Sequence, residues 1–197
     1  MSIIEQITVP PGERGKWRVS RFDVGDKDSE STALRAMFKG RGYVPAGTYT
    51  QLTCAGRGVV MSDTPDERRD HTFAAIKAKG HVLINGLGLG MVLGAILGKP
   101  EVERVTVVEI DPDVIALVGP HYACDRLEIV AASAYDYAPP KGVRYGAIWH
   151  DIWDGFCTDN LPQMTKLKRK YGRRTDWQGC WGEEWCKRHA KSERRWR

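Results

Sequence analysis

Apolar and polar residues alternate, or apolar residues form short runs, along most of the chain, and this pattern predicts a mixed α/β protein. The segment Trp17–Val24 alternates in the manner of a half-buried strand. Residues 49–54 and 59–62 predict two further strands that are joined through a glycine-containing turn, which is a hairpin signal. Helices are predicted over residues 31–39 and from Ser62 to about Lys79.

From His81 onward, predicted strands alternate with predicted helices. Strands are predicted over residues 82–85, 104–109, 126–130 and 145–150, and helices over 88–98, 112–118 and, as a short one, 133–137. Such alternation predicts a parallel sheet covered by helices. No strand pattern follows Asp151, and helices are predicted over 158–171 and 180–192. We therefore expect a parallel four-stranded core.

Three segments follow from this reading. They are an N-terminal hairpin and helix extension (1–80), an α/β core (81–154) and a helical C-terminal segment that is basic and rich in tryptophan (155–197).

The end of the strand over residues 82–85 carries the most informative pattern. Glycines occupy alternate positions, Gly86, Gly88 and Gly90, and a predicted helix follows them. Glycines let a ligand approach the backbone, and a helix N-terminus favours negative charge. Glu109 ends the next predicted strand, nineteen residues beyond Gly90. A carboxylate there can accept both hydroxyls of a ribose, so the pattern predicts an adenosine-binding unit.

Composition narrows the class of protein. A chain of 197 residues with 42% hydrophobic and 28% charged residues has the size and composition of a soluble domain with one sizeable core. No run approaches the roughly 20 apolar residues of a membrane span, and the first residues lack a signal-peptide pattern. The five cysteines form no CxxC motif, which is typical of reduced thiols. We expect a cytoplasmic protein without a membrane partner.

Charge is distributed unevenly along the chain. Residues 1–150 contain 18 basic and 18 acidic residues, whereas 12 basic and 4 acidic residues follow from Thr165 onward, and the net charge is +5. The segment 165–197 is therefore either a solvated helix or a nucleic-acid contact. Trp177, Trp181 and Trp185 recur every four residues and predict an aromatic stripe on a helix, which either packs on the core or stacks on bases.

The motifs VLINGLGLGM, VTVVEIDPDVI, RLEIVAASAYDY and YGAIWHDIWD, together with the preceding hairpin, cover about Thr48 to Asp154. This part of the chain resembles the class I S-adenosylmethionine-dependent methyltransferase fold, most closely its spermidine-synthase-like branch. The resemblance implies a shortened Rossmann-like parallel sheet with an N-terminal β-hairpin extension and a helical C-terminus. It also implies S-adenosylmethionine, or its decarboxylated form, as cofactor. The cofactor-binding residues that it implies are Asn85, Gly86, Leu87, Gly88, Gly90, Glu109, Ile110, Ser133 and Ala134.

By this resemblance the three glycines would wrap the methionine moiety, Glu109 would hold the ribose, and Asp111 would cap the helix that begins at Pro112. The chain also departs from the family. Ile84 replaces an acid that methyltransferases usually carry, and Leu89 replaces the aspartate that holds the cofactor's amino group in aminopropyltransferases. Ser133 replaces an aspartate at the adenine, although its hydroxyl can still accept one hydrogen bond.

Asp151 and Asp154 match the two acids of the aminopropyltransferase loop, where the first helps to deprotonate the attacking amine. We take both as the candidate catalytic residues, although either could instead cap a helix. His150 is either a proton carrier or structural. Cys180, Cys186 and His189 lack the tight spacing of a zinc site, so no metal is expected.

These observations predict an S-adenosylmethionine-dependent transferase, with methyl transfer favoured and a small-molecule acceptor. Aminopropyl transfer and a non-enzymatic module that binds an adenosine ligand or nucleic acid are the alternatives. A nucleic-acid partner at residues 165–197 and a homodimer are further possibilities.

Overall fold

The structure, a computed structural model, describes residues 3–195. The outermost residues of the predicted segments 1–80 and 155–197, which are Met1, Ser2, Trp196 and Arg197, lie outside the described residues. The strands are β1 (Gly12–Arg14), β2 (Trp17–Val24), β3 (Gly47–Cys54), β4 (Gly58–Ser62), β5 (Gly80–Asn85), β6 (Val102–Glu109), β7 (Leu127–Ala131), β8 (Ala147–His150) and β9 (Gln178–Cys180). The helices are α1 (Asp26–Lys39), α2 (Pro65–Lys77), α3 (Met91–Leu97), α4 (Pro112–Val118), α5 (Asn160–Tyr171) and α6 (Glu183–Arg195), with short 3-10 helices at Gly119–Tyr122 and Gly172–Arg174.

The N-terminal strands form an antiparallel sheet in the order β1-β2-β3-β4. The predicted hairpin of β3 and β4 is confirmed, and β2 pairs with β3 along its whole length, from Trp17↔Cys54 to Val24↔Gly47. The hairpin is thus half of a larger sheet. The sequence pattern misses β1 because its three residues pair through their backbone at the edge and none of them is buried.

The second sheet is parallel and has the order β7-β6-β5-β8-β9. Successive residues of its central strand enter different cores: Val82 and Ile84 pack with α2 and α3, whereas Leu83 packs with α5. Helices therefore cover both faces, as in a doubly wound Rossmann-like fold. The predicted α/β class is confirmed.

Two sequence predictions about this sheet are wrong. A fifth strand, β9, follows the predicted end of the sheet and pairs with β8 at Ile148↔Gln178. It escapes detection because its three residues, with Gly179 in the middle, are too few to show a periodicity. The helix predicted over 133–137 is a turn in which Ser133 O accepts from Tyr137 N (2.8 Å). Pro139 and Pro140 follow at once and cannot continue a helix.

The predicted helical stripe of tryptophans is also wrong. Trp177 and Trp181 flank β9, and only Trp185 lies on α6. Trp177 stacks on Trp149 with a centroid distance of 6.3 Å and an interplanar angle of 7°, and both Trp177 and Trp181 pack against the main core. These indoles serve core packing.

The strand order determines where a ligand can bind. From β5 the chain first builds β6 and β7 on one side and then returns to build β8 and β9 on the other. The connections that leave the carboxyl ends of β5 and β8 therefore run to opposite sides of the sheet. The crevice between these two strand ends is a topological switch point, where open α/β sheets bind their ligands. Among the described helices, none is long and apolar enough to cross a bilayer.

Asp63 connects the N-terminal segment to the antiparallel sheet. Its buried carboxylate follows β4 and accepts hydrogen bonds from Thr50 N (2.7 Å) and Ile7 N (3.0 Å). We expect D63A to lower the free energy of unfolding by at least about 2 kcal/mol, because two buried N–H groups lose their acceptor. Urea denaturation measures this difference. The control is D23A, since Asp23 accepts from Thr48 Oγ1 at an exposed site. An equal effect of the two substitutions would contradict the assignment.

Candidate functional site

A cleft of about 570 Å³ lies at the carboxyl edge of the parallel sheet. One wall comes from the ends of β5, β6 and β8 and the loop after β7, and the opposite wall comes from β2 and the β3–β4 hairpin. The predicted site residues that line it are Gly86, Gly88, Glu109, Ile110, Ser133, Ala134, Asp151 and Asp154. Sequence reasoning missed the opposite wall entirely, and its lining residues are Lys16, Trp17, Leu52, Arg57, Val60 and Met61. No local motif marks them, because only the tertiary fold brings that wall to the sheet edge.

Glu109 occupies a fixed position in this cleft. Its carboxylate is 8% exposed and accepts hydrogen bonds from Leu87 N (2.8 Å, to Oε2) and Asp111 N (2.9 Å, to Oε1). Each oxygen of a carboxylate can accept a second hydrogen bond. The side chain is therefore held against the glycine turn and retains capacity for two hydroxyl donors.

Asp111 joins the two walls. Its side chain accepts from Asp113 N (3.0 Å), which caps α4 as expected, and from Trp17 Nε1 (2.8 Å), while Lys16 Nζ lies 3.3 Å away. Burial acts to raise the pKa of Asp111, but these hydrogen bonds and the lysine charge outweigh it, so the pKa is lowered. The aspartate stays ionised and anchors the start of β2 to the cleft.

The glycine turn packs closely against other parts of the chain. A Cβ at Gly86 would lie 1.9 Å from Asp151 O, one at Gly88 would lie 2.7 Å from Met61 Sδ, and one at Gly90 would lie 2.2 Å from the Tyr122 ring. All three glycines also have positive φ. The backbone conformation therefore favours glycine at all three positions with or without a ligand, and the expectation that these glycines wrap a methionine moiety stays a prediction.

Three predicted cofactor residues lie outside the cleft lining. Leu87 and Gly90 face the protein interior, although Leu87 N contacts Glu109. Asn85 Nδ2 is bonded to His150 Nδ1 (2.8 Å), and His150 Nε2 reaches Gln178 Oε1 (3.3 Å). Burial lowers the pKa of His150 to about 4, so the imidazole is neutral at pH 7. This chain of hydrogen bonds crosses β5, β8 and β9 and makes His150 structural.

The two candidate catalytic carboxylates occupy contrasting environments. Asp154 is 47% exposed and paired with Arg57 of the β3–β4 turn. Asp151 is 8% exposed, and burial, reinforced by Glu67, Glu109 and Asp70, raises its pKa to about 8. Asp151 is therefore the acid that can change its protonation state near neutral pH, whereas Asp154 is engaged by Arg57 at the surface, so the two acids suit different chemical roles.

His71 lies beside Asp151, with 3.6 Å between His71 Nε2 and Asp151 Oδ2. Burial lowers the pKa of His71 to about 4. Because the pKa of Asp151 is raised at the same time, the two groups are not an ion pair at neutral pH. Within residues 3–195, no three His, Cys, Asp or Glu side chains are grouped so that they could hold a metal ion.

No protein-family model matches the sequence, and no curated protein matches it. Solved structures that share part of the fold include the N-methyltransferase NodS from Bradyrhizobium japonicum WM9 (17% identity, TM-score 0.45, covering 57% of this chain and 64% of that chain). Others are a dimethyladenosine transferase from Plasmodium falciparum (22%, 0.41, 54% and 37%) and the 23S rRNA methyltransferase ErmE (19%, 0.41, 54% and 41%). The fold assignment rests on the strand order β7-β6-β5-β8-β9 of the parallel sheet.

The contact at Gly86 yields a stability prediction. We expect G86A to destabilise the protein more than G42A, by at least about 2 kcal/mol, because both glycines have φ of +99° but only Gly86 has a backbone oxygen against its Cβ position. Urea denaturation of the two variants measures the difference. Equal stabilities would mean that the Gly86–Asp151 approach is not a real constraint.

The pKa of Asp151 yields a pH prediction. This pKa is about 8 in the folded state and 3.8 in a model peptide, so the stabilising contribution is complete below about pH 4 and is lost as the pH rises to 8. In the folded state the pKa values of His71 and His150 are about 4, whereas the ordinary histidine pKa is 6.5. Their titration therefore raises the stability with increasing pH only below pH 6.5, and it does not affect the range above. Between pH 6.5 and 8 the wild type should therefore lose stability relative to D151N. Urea denaturation across this range tests it, with exposed Asp159→Asn as the control, and a constant difference would refute it.

Proposed function

We propose that this chain is an S-adenosylmethionine-dependent methyltransferase. The observation that carries the proposal is the Glu109 carboxylate, which two backbone N–H groups hold in a cleft at the switch point of a Rossmann-like sheet. A carboxylate in this position suits the two hydroxyls of a ribose. The cleft volume of about 570 Å³ falls within the usual range for small-molecule sites.

The remaining residues of the cleft suit the other parts of the cofactor. Ile110 is exposed beside Glu109 and offers an apolar surface to adenine. Ser133 and Ala134 lie at the adjacent edge, and the Ser133 hydroxyl, which accepts from Tyr135 N (3.1 Å), retains a proton to donate. Gly86 and Gly88 border the same cleft. In this proposal Asn85, Leu87 and Gly90 act indirectly, by holding the turn and its neighbours in place.

When bound, S-adenosylmethionine supplies an electrophilic methyl group on a sulfonium. The chain must then orient an acceptor and remove one proton from it. We assign proton removal to Asp151, which lines the cleft next to Gly86. Asp154, paired with Arg57, instead helps to position the β3–β4 turn over the cleft.

The structure gives a reason to prefer methyl transfer over aminopropyl transfer. Leu89 is fully buried in the core, its N–H faces Met61 Sδ (3.3 Å), and its carbonyl accepts from Tyr122 Oη (2.9 Å). The carboxylate that aminopropyltransferases place at this position is thus replaced by core packing. We therefore propose S-adenosylmethionine itself, not its decarboxylated form, as the cofactor, and the spermidine-synthase-like branch stays a prediction from the sequence motifs.

Partners and location belong to the same proposal. The acceptor is a small molecule, and the cytoplasmic location stays a prediction. A nucleic-acid contact would use exposed cations such as Lys166, Arg169 and Arg173, and we expect such binding to weaken steeply with salt.

A homodimer would use the exposed apolar face of α1, which carries Met37 and Phe38, and F38E should then abolish dimers in sedimentation experiments.

Calorimetry with S-adenosylmethionine tests the proposal. We expect E109A to weaken binding by at least about tenfold, because two ribose hydroxyls lose a charged acceptor. The matched control is E103A, which removes an exposed glutamate from the same strand and should leave the affinity unchanged. E109Q guards against a folding defect, since it keeps an acceptor for one backbone N–H. Unchanged affinity in both Glu109 variants, or no binding to the wild type, would refute the proposal.

A further inference from the structure

His71 is a fully buried histidine that faces the site from α2. Its Nδ1 accepts a hydrogen bond from Trp149 Nε1 (3.2 Å), and its Nε2 points to Asp151 Oδ2 at 3.6 Å. Nε2 has no hydrogen-bond partner among the described residues. A buried polar atom without a partner is costly, so a group aimed in this way at a carboxyl group needs an explanation.

The Trp149 contact determines the tautomer of His71. An indole N–H can only donate, so Nδ1 must present its lone pair. The single proton of the neutral imidazole is then on Nε2, the nitrogen that faces Asp151. A second proton on Nδ1 would destroy the hydrogen bond from Trp149, so His71 is held as a neutral donor.

The other groups around Asp151 disfavour its ionised form. Glu67 and Asp70 face it from α2, and Glu109 faces it from β6, all with the same sign of charge. Asp70 is partly neutralised by Arg41, whose Nη2 lies 2.8 Å away. Against these acids and the burial of the site, a donor at Nε2 of His71 favours the carboxylate form.

We propose that His71 is a positioning residue that presents a fixed Nε2–H donor to Asp151 and favours the carboxylate needed to accept a proton from the acceptor. The role given to Asp151 rests on the proposed function, whereas the tautomer of His71 does not. The present separation of 3.6 Å exceeds a hydrogen bond, and a movement of about 0.5 Å would form one. Contacts of this kind are often long without a substrate and shorten in the complex.

Nuclear magnetic resonance of the intact protein with ¹⁵N-labelled histidine tests the tautomer without any cofactor. We expect His71 to remain in the Nε2–H form from pH 5.5 to 9, and its Nε2 signal to shift with a midpoint near pH 8 as Asp151 ionises. D151N should remove that midpoint, and W149F should allow both tautomers. The control is His81, which contacts Thr106 and Tyr145 and should not respond to D151N. An Nδ1–H form, a doubly protonated ring at pH 7 or a midpoint that persists in D151N would overturn the inference.

Calorimetry tests the functional part. S-adenosylmethionine carries a sulfonium charge and S-adenosylhomocysteine does not. The affinity for S-adenosylmethionine divided by the affinity for S-adenosylhomocysteine should therefore rise as Asp151 ionises, because the carboxylate attracts only the charged ligand. We expect H71F to move this rise to higher pH by about half a pH unit or more, and H71Q, which keeps an N–H donor, to restore it. The same midpoint in H71F and wild type would overturn the positioning role. Absence of binding by either ligand to the wild type would instead refute the methyltransferase proposal, and the resonance experiment would still decide the tautomer.

Discussion

Two backbone N–H groups hold the carboxylate of Glu109 at the carboxyl edge of the parallel sheet, and the rest of the site depends on this arrangement. One N–H comes from the glycine turn after β5 and the other from the residue that caps α4. The acid therefore connects two βα junctions. A side chain fixed in this way does not have to be ordered when a ligand arrives, which reduces the entropic cost of binding.

The N-terminal sheet completes the site as its second wall. Trp17 donates to Asp111 across the cleft, and Arg57 pairs with Asp154 at its edge. The predicted division into an extension over 1–80, a core over 81–154 and a C-terminal segment over 155–197 stays a prediction, and residues of all three segments line the site, the third through Gln163. The third segment also contributes β9, which borders β8 and supports His150 from the far side.

The sequence predicted those parts of the protein that local patterns encode. Strong apolar periodicity gave β2, the β3–β4 hairpin and the strands of the parallel core, and the order of glycines and Glu109 predicted the edge where the cleft lies. It could not predict β9, because three residues show no period, and it misread the tryptophans of residues 177–185, because an i, i+4 spacing does not show that a strand and turns separate them. The pairing of His71 with Trp149 and Asp151 joins residues about 80 positions apart, and no local pattern encodes it.

The central claim is that Glu109 holds the ribose of an adenosine cofactor between the two walls. A crystal structure of the protein with S-adenosylhomocysteine tests it most directly. Our account predicts that both ribose hydroxyls lie within hydrogen-bond distance of the Glu109 carboxylate, with the adenine against Ile110. A nucleoside bound elsewhere, or bound in the cleft without contact to Glu109, would contradict the account.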